Sequence, residues 1–436
     1  MASQNGNLPV DESGASAAAV AAAEGKGQEG PGALASHFGA HQLSLSSLSV
    51  HADDYINNHR AVAPPLHVST TYRYNSDPDK LAQWENRDEK APYDSHIYSR
   101  DSAPNTTRLE AVLSSLLGGP AVTYASGLAA FHALLVFLNP RRVAITGGYH
   151  GCHGVIDVVR KLSGLEKIPL EGDLGALRPG DVIHVETPLN PTGEARDLEF
   201  YAARAKELGC YLTVDATFGP PPLQRPFDYG VDVIMHSGTK YFGGHSDMLC
   251  GVLAVHPDRA EKDGWVRGLL DERLYLGSVM GSLEGWLGVR SLRTLEVRVE
   301  RQSSSATKLV SWLDGELHKE GSLVNRTVAR LHHASLQPEA KEEGSWLRRQ
   351  MPVGWGPVFS IIMKDAVHAK RLPSKLHLFH HATSLGGVES LIEWRAITDK
   401  TVEKTVLRVS IGVEGWEDLR EDLLRGFEAL LNEESS

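Results

Sequence analysis

From Leu109 to Val255 short apolar runs alternate with helical stretches, and this alternation restricts the fold more than any other feature of the chain. The runs lie at 142–146 (RVAIT), 181–187 (DVIHVET), 211–215 (YLTVD), 231–235 (VDVIM) and 248–255 (MLCGVLAV). Each is short, mostly apolar and rich in β-branched residues, the pattern of a strand buried on both faces. Most are separated by amphipathic segments such as 197–208. The first helical run, LEAVLSSLL, meets Gly118-Gly119-Pro120, which stops it. The order predicts an α/β core with a mainly parallel sheet and a ligand site at the carboxyl ends of the strands. Beyond Asp271 one long helical pattern spans 282–315, and mixed elements to residue 436 read as a smaller α+β domain. The polar stretch 335–350 is expected to be a surface excursion.

Fifty-five acidic residues face 44 basic ones, a net −11, so no overall positive field exists to hold nucleic acid or an anionic membrane. Three cysteines, Cys152, Cys210 and Cys250, have no paired spacing and suggest neither a disulfide framework nor structural zinc. Twenty-four of the first forty residues are Gly, Ala, Ser or Pro, which predicts a disordered tail over 1–42. The Ala run within it lacks the basic flank of a signal peptide, and no apolar run approaches the ~20 residues of a membrane span. A cytoplasmic protein acting on a small molecule is expected.

The sharpest local signal is Ser237-Gly238-Thr239-Lys240, directly after VDVIM. A strand-end lysine beside hydroxyls and glycines suits a Schiff base with a phosphorylated aldehyde, although most such lysines are surface charges. Asp215, closing YLTVD, can pair with a pyridine nitrogen or simply cap a helix. Ser126-Gly127-Leu128 opens an apolar helix, which suits a phosphate or an ordinary N-cap.

Together these segments resemble the transsulfuration (Cys/Met metabolism) family of pyridoxal-phosphate enzymes, which includes cystathionine gamma-synthase, cystathionine lyases and methionine gamma-lyase. The resemblance runs from about His51 to Glu414 through AVAPPLHVSTTY (61–72), YSR (98–100), SGLAA (126–130), ETPLNP (186–191), VDATFGPP (214–221), HSGTKYFGGHSD (236–247), SLGGVESLIE (384–393) and LRVSIGVE (407–414). It implies the type I fold of pyridoxal-phosphate-dependent transferases. A tail (1–42) would precede an arm (43–95) contacting a neighbouring subunit, a cofactor domain (96–290) and a C-terminal domain (291–436). Lys240 would carry the cofactor and move protons at Cα, and Asp215 would hold the pyridinium. Ser126, Gly127, Leu128, Ser237 and Thr239 would bind the phosphate, joined by Tyr98 and Arg100 from a neighbouring subunit. A homodimer or homotetramer with shared sites follows. Tyr149 would stack on the ring and serve the leaving group, with Thr217 and Asn190 supporting the ring. Arg408 and Ser384 would clamp the substrate carboxylate, and Thr383, Asn190 and Tyr98 would complete the substrate site.

Departures from the family bear on specificity. APNT at 103–106 replaces NPTR, and HGCH after Tyr149 puts Cys152 near the cysteine of methionine gamma-lyases, with one residue added. His150, Cys152 and His153 are too crowded to read as a metal site, and HLFHH at 377–381 reads as surface, so no metal is expected. Thr383 stands where cystathionine-processing members carry an acid, and Trp394-Arg395-Ala396-Ile397-Thr398-Asp399 replaces HPA...MTH. The expected reaction is γ-replacement on an activated homoserine such as O-acetyl-L-homoserine, with a thiol or a carbon nucleophile as co-substrate. The alternatives are a cystathionine or methionine β/γ-lyase and a catalytically silent binding protein of the same fold.

Overall fold

The computed structural model describes residues 42–56, 61–83 and 96–434, so the disordered tail expected over 1–42 lies, apart from Gln42, outside the described residues, as do 57–60 and 84–95 of the arm. Seven strands form the larger sheet: β1 (Ala121–Tyr124), β2 (Arg142–Ala144), β3 (Glu166–Ile168), β4 (Val182–Glu186), β5 (Tyr211–Asp215), β6 (Val233–Ser237) and β7 (Gly251–Val255). Their order is β1-β7-β6-β5-β4-β2-β3, with β7 antiparallel to both neighbours and the remaining pairs parallel. All five expected strands are present. β1 and β3 are additions: β1 is four residues long, and β3 is an edge strand whose exposed Glu166 and Lys167 hide it from an apolar search.

The central strands are mostly apolar because alternate side chains feed two different cores. Val143, Val182, Val233, Met235 and Leu253 pack against Phe131, Leu134 and Leu269 of the helices Gly127–Leu138 and Trp265–Leu276. Ala144, Ile183, Val214, Ile234 and Val252 point the other way, toward Leu113, Leu198 and Leu292. Each fully buried Val or Leu contributes about 1.5–3 kcal/mol. The helix Pro104–Leu117 ends at Gly118, as expected, and its Asn105 is buried, accepting the His67 amide at 2.8 Å.

Two expectations need correction. The helical pattern 282–315 is two helices, Ser282–Leu292 and Leu295–Leu317. The Ser291 carbonyl between them takes an i+3 bond from the Thr294 amide (3.1 Å) and one from Arg298 Nη2 (3.0 Å), which replace the regular ladder. Apolar periodicity continues across this break and so does not reveal it. The stretch 335–350 is not a mere surface excursion, because Ala340 and Leu347 enter the large core. Gln337 Oε1 accepts the Ala195 amide at 2.7 Å and Gln350 Oε1 the Leu198 amide at 3.0 Å, clasping the segment that follows β4.

A second sheet, ordered β10-β11-β12-β9-β8, contains β8 (Val328–His332), β9 (Val358–Met363), β10 (His380–His381), β11 (Leu391–Trp394) and β12 (Val406–Ser410). All its pairs are antiparallel except β10–β11. Within 377–381, Phe379 is buried and the two histidines of β10 are exposed. Leu407 and Val409 of β12 face the second core, so Arg408 and Ser410 point away from it. The helix Leu295–Leu317 runs through both cores, with Leu295 and Val299 in the first and Ala306, Leu309, Val310 and Leu313 in the second. Among the described residues no helix is long and apolar enough to cross a membrane.

Candidate active site

At the carboxyl ends of the parallel strands a cavity of about 400 Å³ opens, walled by loops of the large sheet on one side and by the second sheet on the other. β1 leads to Ser126, whose hydroxyl caps the next helix by accepting the Ala129 amide at 3.1 Å. The capping reading of Ser126 is thus realised. The Gly127 and Leu128 amides head the helix, where no intrahelical acceptor exists, so they are available to an anion. A Cβ on Gly127 would stand 3.0 Å from Ser237 Cβ, so only glycine lets the helix head come this close to the end of β6.

Past β6 the chain turns through Thr239 to Lys240. Thr239 Oγ1 donates to the Cys250 carbonyl at 3.3 Å and accepts the Cys250 amide at 3.1 Å, which fixes this turn against the approach to β7. Lys240 Nζ donates to Ser384 Oγ at 2.9 Å. Burial, helped by the charge of Arg408, lowers the Lys240 pKa to about 8, so a large fraction of the amine is neutral near that pH. The 384–387 loop lies directly against this lysine: a Cβ on Gly386, whose φ is +81°, would be 2.9 Å from the Lys240 carbonyl carbon. Ser384 itself holds φ +80°, a strained conformation for a residue with a side chain.

β4 and β5 place Glu186 directly opposite Asp215 in register. Asp215 accepts the Thr217 amide (3.0 Å) and hydroxyl (2.5 Å), both on Oδ1, and the same hydroxyl accepts the Ser237 amide at 2.8 Å. Thr217 therefore aims the carboxylate rather than only supporting a ring. Burial raises the Asp215 pKa, as expected of a carboxylate hydrogen-bonded only by neutral donors. Glu186 is pushed up to about 8 by burial and by the neighbouring Asp215 charge. Its Oε2 accepts the Tyr149 amide and its Oε1 the Asn190 amide, each at 2.7 Å. Tyr149 is thus tethered at the head of the helix His150–Ser163, with its half-exposed ring on the cavity wall.

The second sheet supplies the opposite wall. Arg408 on β12 pairs in register with Glu393 on β11, and its guanidinium meets Glu393 Oε2 (2.5 Å), the Ser384 carbonyl (2.9 Å) and Asn190 Oδ1 (3.2 Å). The Asn190 side chain braces Arg408. The Ser384 hydroxyl sits on Lys240, and only its carbonyl touches Arg408. Thr383 lies exposed at the rim.

Tyr98 and Arg100 do not join the other site residues within one chain. Tyr98 is 46% exposed, and the Arg100 guanidinium stands over its ring at 5.2 Å. Arg395 lines the cavity fully buried, bonded to Glu393 Oε2 at 2.9 Å. Glu186 and Glu393 are the functional residues that sequence reading passed over. Both stood inside quoted motifs, ETPLNP and SLGGVESLIE, but nothing in their spacing distinguished them from ordinary strand-end acids. Cys152 is buried, and burial raises its thiol pKa well above the usual value. Among the described residues no three His, Cys, Asp or Glu side chains converge as a metal site.

The donor set fits pyridoxal phosphate: helix-head amides and hydroxyls for the phosphate, a depressed lysine for the aldehyde and a buried, uncompensated carboxylate for the pyridinium. Comparison with known proteins agrees. A cystathionine gamma-synthase of Escherichia coli K12 is 32% identical over 393 residues, covering 84% of this chain and 93% of that protein. A cystathionine beta-lyase of Bacillus subtilis is 30% identical over 393 residues, covering 86% and 92%. The crystal structure of metB from Corynebacterium glutamicum superposes with a TM-score of 0.77 at 28% identity, covering 89% of this chain and 99% of that one. A cystathionine gamma-lyase structure from Micromonospora echinospora gives 0.76 at 30% identity, covering 89% and 100%. Residues 46–428 match the family described as Cys/Met metabolism PLP-dependent enzyme, and the chain is a member of that pyridoxal-phosphate-dependent enzyme family.

Proposed function

We propose that the enzyme catalyses γ-replacement on an activated homoserine, with O-acetyl-L-homoserine as the model substrate and a thiol or carbon nucleophile as the second. One observation carries the choice of substrate. Among the described residues lining the cavity, the only acids are Glu186 and Asp215, both buried at strand ends, while the rim position holds neutral Thr383. The distal ammonium of cystathionine therefore meets a neutral threonine rather than a carboxylate at the rim of this cavity, whereas an ester of homoserine needs none.

Bound pyridoxal phosphate supplies an electron sink for bonds broken at Cα and Cβ. Arg408 receives the substrate carboxylate, with Asn190 and Glu393 orienting its fork. Lys240 Nζ, near neutral and held by Ser384, would carry protons from Cα and then Cβ and return them once the nucleophile has added at Cγ. Asp215 would hold the cofactor's ring nitrogen in its protonated form. Tyr149 hands a proton to the leaving group at Cγ. Tyr98 and Arg100, distant from their own chain's cavity, reach the phosphate of a second copy in a shared-site homodimer or homotetramer.

The test compares kcat/KM for O-acetylhomoserine, with and without thiol or β-keto acid, against cystathionine. The ester should win by at least about tenfold, ~1.4 kcal/mol of transition-state discrimination. Thr383→Glu should narrow the gap by giving the distal amine a partner. A lyase reading has its own support, because an adjoining cleft that shares Thr383 and Ser384 carries Asp247, Glu284 and Glu389. Cystathionine cleaved as efficiently as the ester is used would select it.

A further inference from the structure

The cluster around Glu393 is more elaborate than a carboxylate clamp requires. Its Oε2 is shared by two guanidiniums, Arg408 Nη2 and Arg395 Nη1, while Oε1 accepts the Thr398 hydroxyl at 2.7 Å. The three charged side chains are 2–5% exposed. The chain segment builds this locally. β11 ends at Trp394 and turns through a short helical turn, Arg395–Ile397, so that Arg395 and Thr398 both fold back onto the glutamate just before them. Arg395 Nη1 also meets Thr398 Oγ1 at 3.1 Å, and Nη2 lies 3.6 Å from Asp399. Asp399 is itself engaged by the Thr401 amide and hydroxyl at 2.9 and 2.6 Å.

An incoming α-carboxylate must take up the Arg408 fork, whose contact with Glu393 is a buried ion pair. Breaking a buried pair outright strands a charge in low dielectric, a cost of several kcal/mol that would oppose binding. Here that cost is avoided, because Glu393 keeps Arg395 and Thr398 when Arg408 turns to the substrate. We infer that Arg395 is a positioning residue: by holding Glu393 in common with Arg408 it keeps the glutamate charge paired, so that Arg408 is free to exchange Glu393 for a substrate carboxylate. The inference rests on the reading of Arg408 as the carboxylate clamp, and it gives a role to the Trp394-Arg395 departure that substrate choice alone leaves unused.

The test titrates the cofactor-loaded enzyme with L-alanine and with L-alaninamide, following the absorbance change of the bound cofactor. Arg395→Gln should raise the Kd for alanine about tenfold and leave the amide within about twofold, because the amide does not compete for Arg408 as an anion. Arg395→Lys, which retains a cation, should lie between. Adding Glu393→Gln to Arg395→Gln should restore alanine affinity, since no carboxylate then competes for Arg408. Thr398→Val keeps both guanidiniums but removes the donor to Oε1 and one acceptor of Arg395 Nη1, so it should weaken alanine about threefold. Unchanged alanine affinity in Arg395→Gln, equal losses for acid and amide, or no recovery in the double variant overturns the inference. Should Arg395→Gln not fold, an unshifted Thr398→Val overturns it alone. Alanine has no γ leaving group, so these readings stand apart from the γ-replacement assay, and failure of that assay sinks only the substrate reading.

Discussion

Replacing Glu186 with glutamine exchanges one oxygen for an amide nitrogen, yet it should loosen two walls of the site. The native carboxyl accepts two backbone amides, Tyr149 through Oε2 and Asn190 through Oε1, each at 2.7 Å. Glutamine has one acceptor oxygen, and its NH₂ would face an N–H. One of the two bonds is lost and a buried donor is left unpaired, at a cost of about 1–3 kcal/mol. The deficit carries a pH signature. Burial and the Asp215 charge hold the Glu186 pKa at about 8, above the ordinary 4.5. Between these values the folded state binds more protons than the unfolded one, so wild-type stability falls as pH rises through that window. Glutamine does not titrate, so the variant's deficit should be larger at pH 6 than at pH 9. Urea unfolding of both apoenzymes at the two pH values measures this. In the loaded enzyme, release of Tyr149 or Asn190 should lower kcat roughly ten- to a hundredfold, the scale of a 1 Å misplacement. A deficit that grows with pH, or full activity in the variant, would refute the tether.

Lys240→Ala should eliminate turnover and the hydroxylamine-sensitive yellow colour of the purified protein, and a normal kcat would remove Lys240 from the chemistry. Mixing inactive Lys240→Ala and Arg100→Ala subunits should restore activity, since one site of each hybrid dimer receives both intact halves. Demonstrated hybrids without activity would return Arg100 to its own subunit.

The sequence exposed the sheet because its strands are buried on both faces, which keeps β2, β4, β5, β6 and β7 mostly apolar, and it exposed Asp215 because it closes one of those runs and Lys240 because it follows another within a few residues. What it concealed depends on contacts between distant segments. The break at Arg293-Thr294 follows from Arg298 bonding Ser291 and, through Nη1, the Tyr241 carbonyl, a contact across 57 residues. The placement of Leu347 in the core follows from glutamines that reach back to Ala195 and Leu198. Glu186 gained meaning only when β4 and β5 aligned it with Asp215, and Glu393 only when β11 and β12 set it opposite Arg408. Arg395 brings a cation to the cavity wall, and the fold sets much of that charge against Glu393 and Asp399, two acids whose partner the sequence did not reveal.

The helix Leu295–Leu317 threads both cores, and this bears on how the molecule comes apart. Val299 and Leu309 lie ten residues apart on one rod, about 15 Å along its axis, yet each is fully enclosed by a different set of side chains. Neither set can melt without stripping the rod of half its partners, so the two sheets should lose structure in one cooperative transition. Cofactor bound at the end of the large sheet would then protect the whole of the second sheet from proteolysis, by mass action.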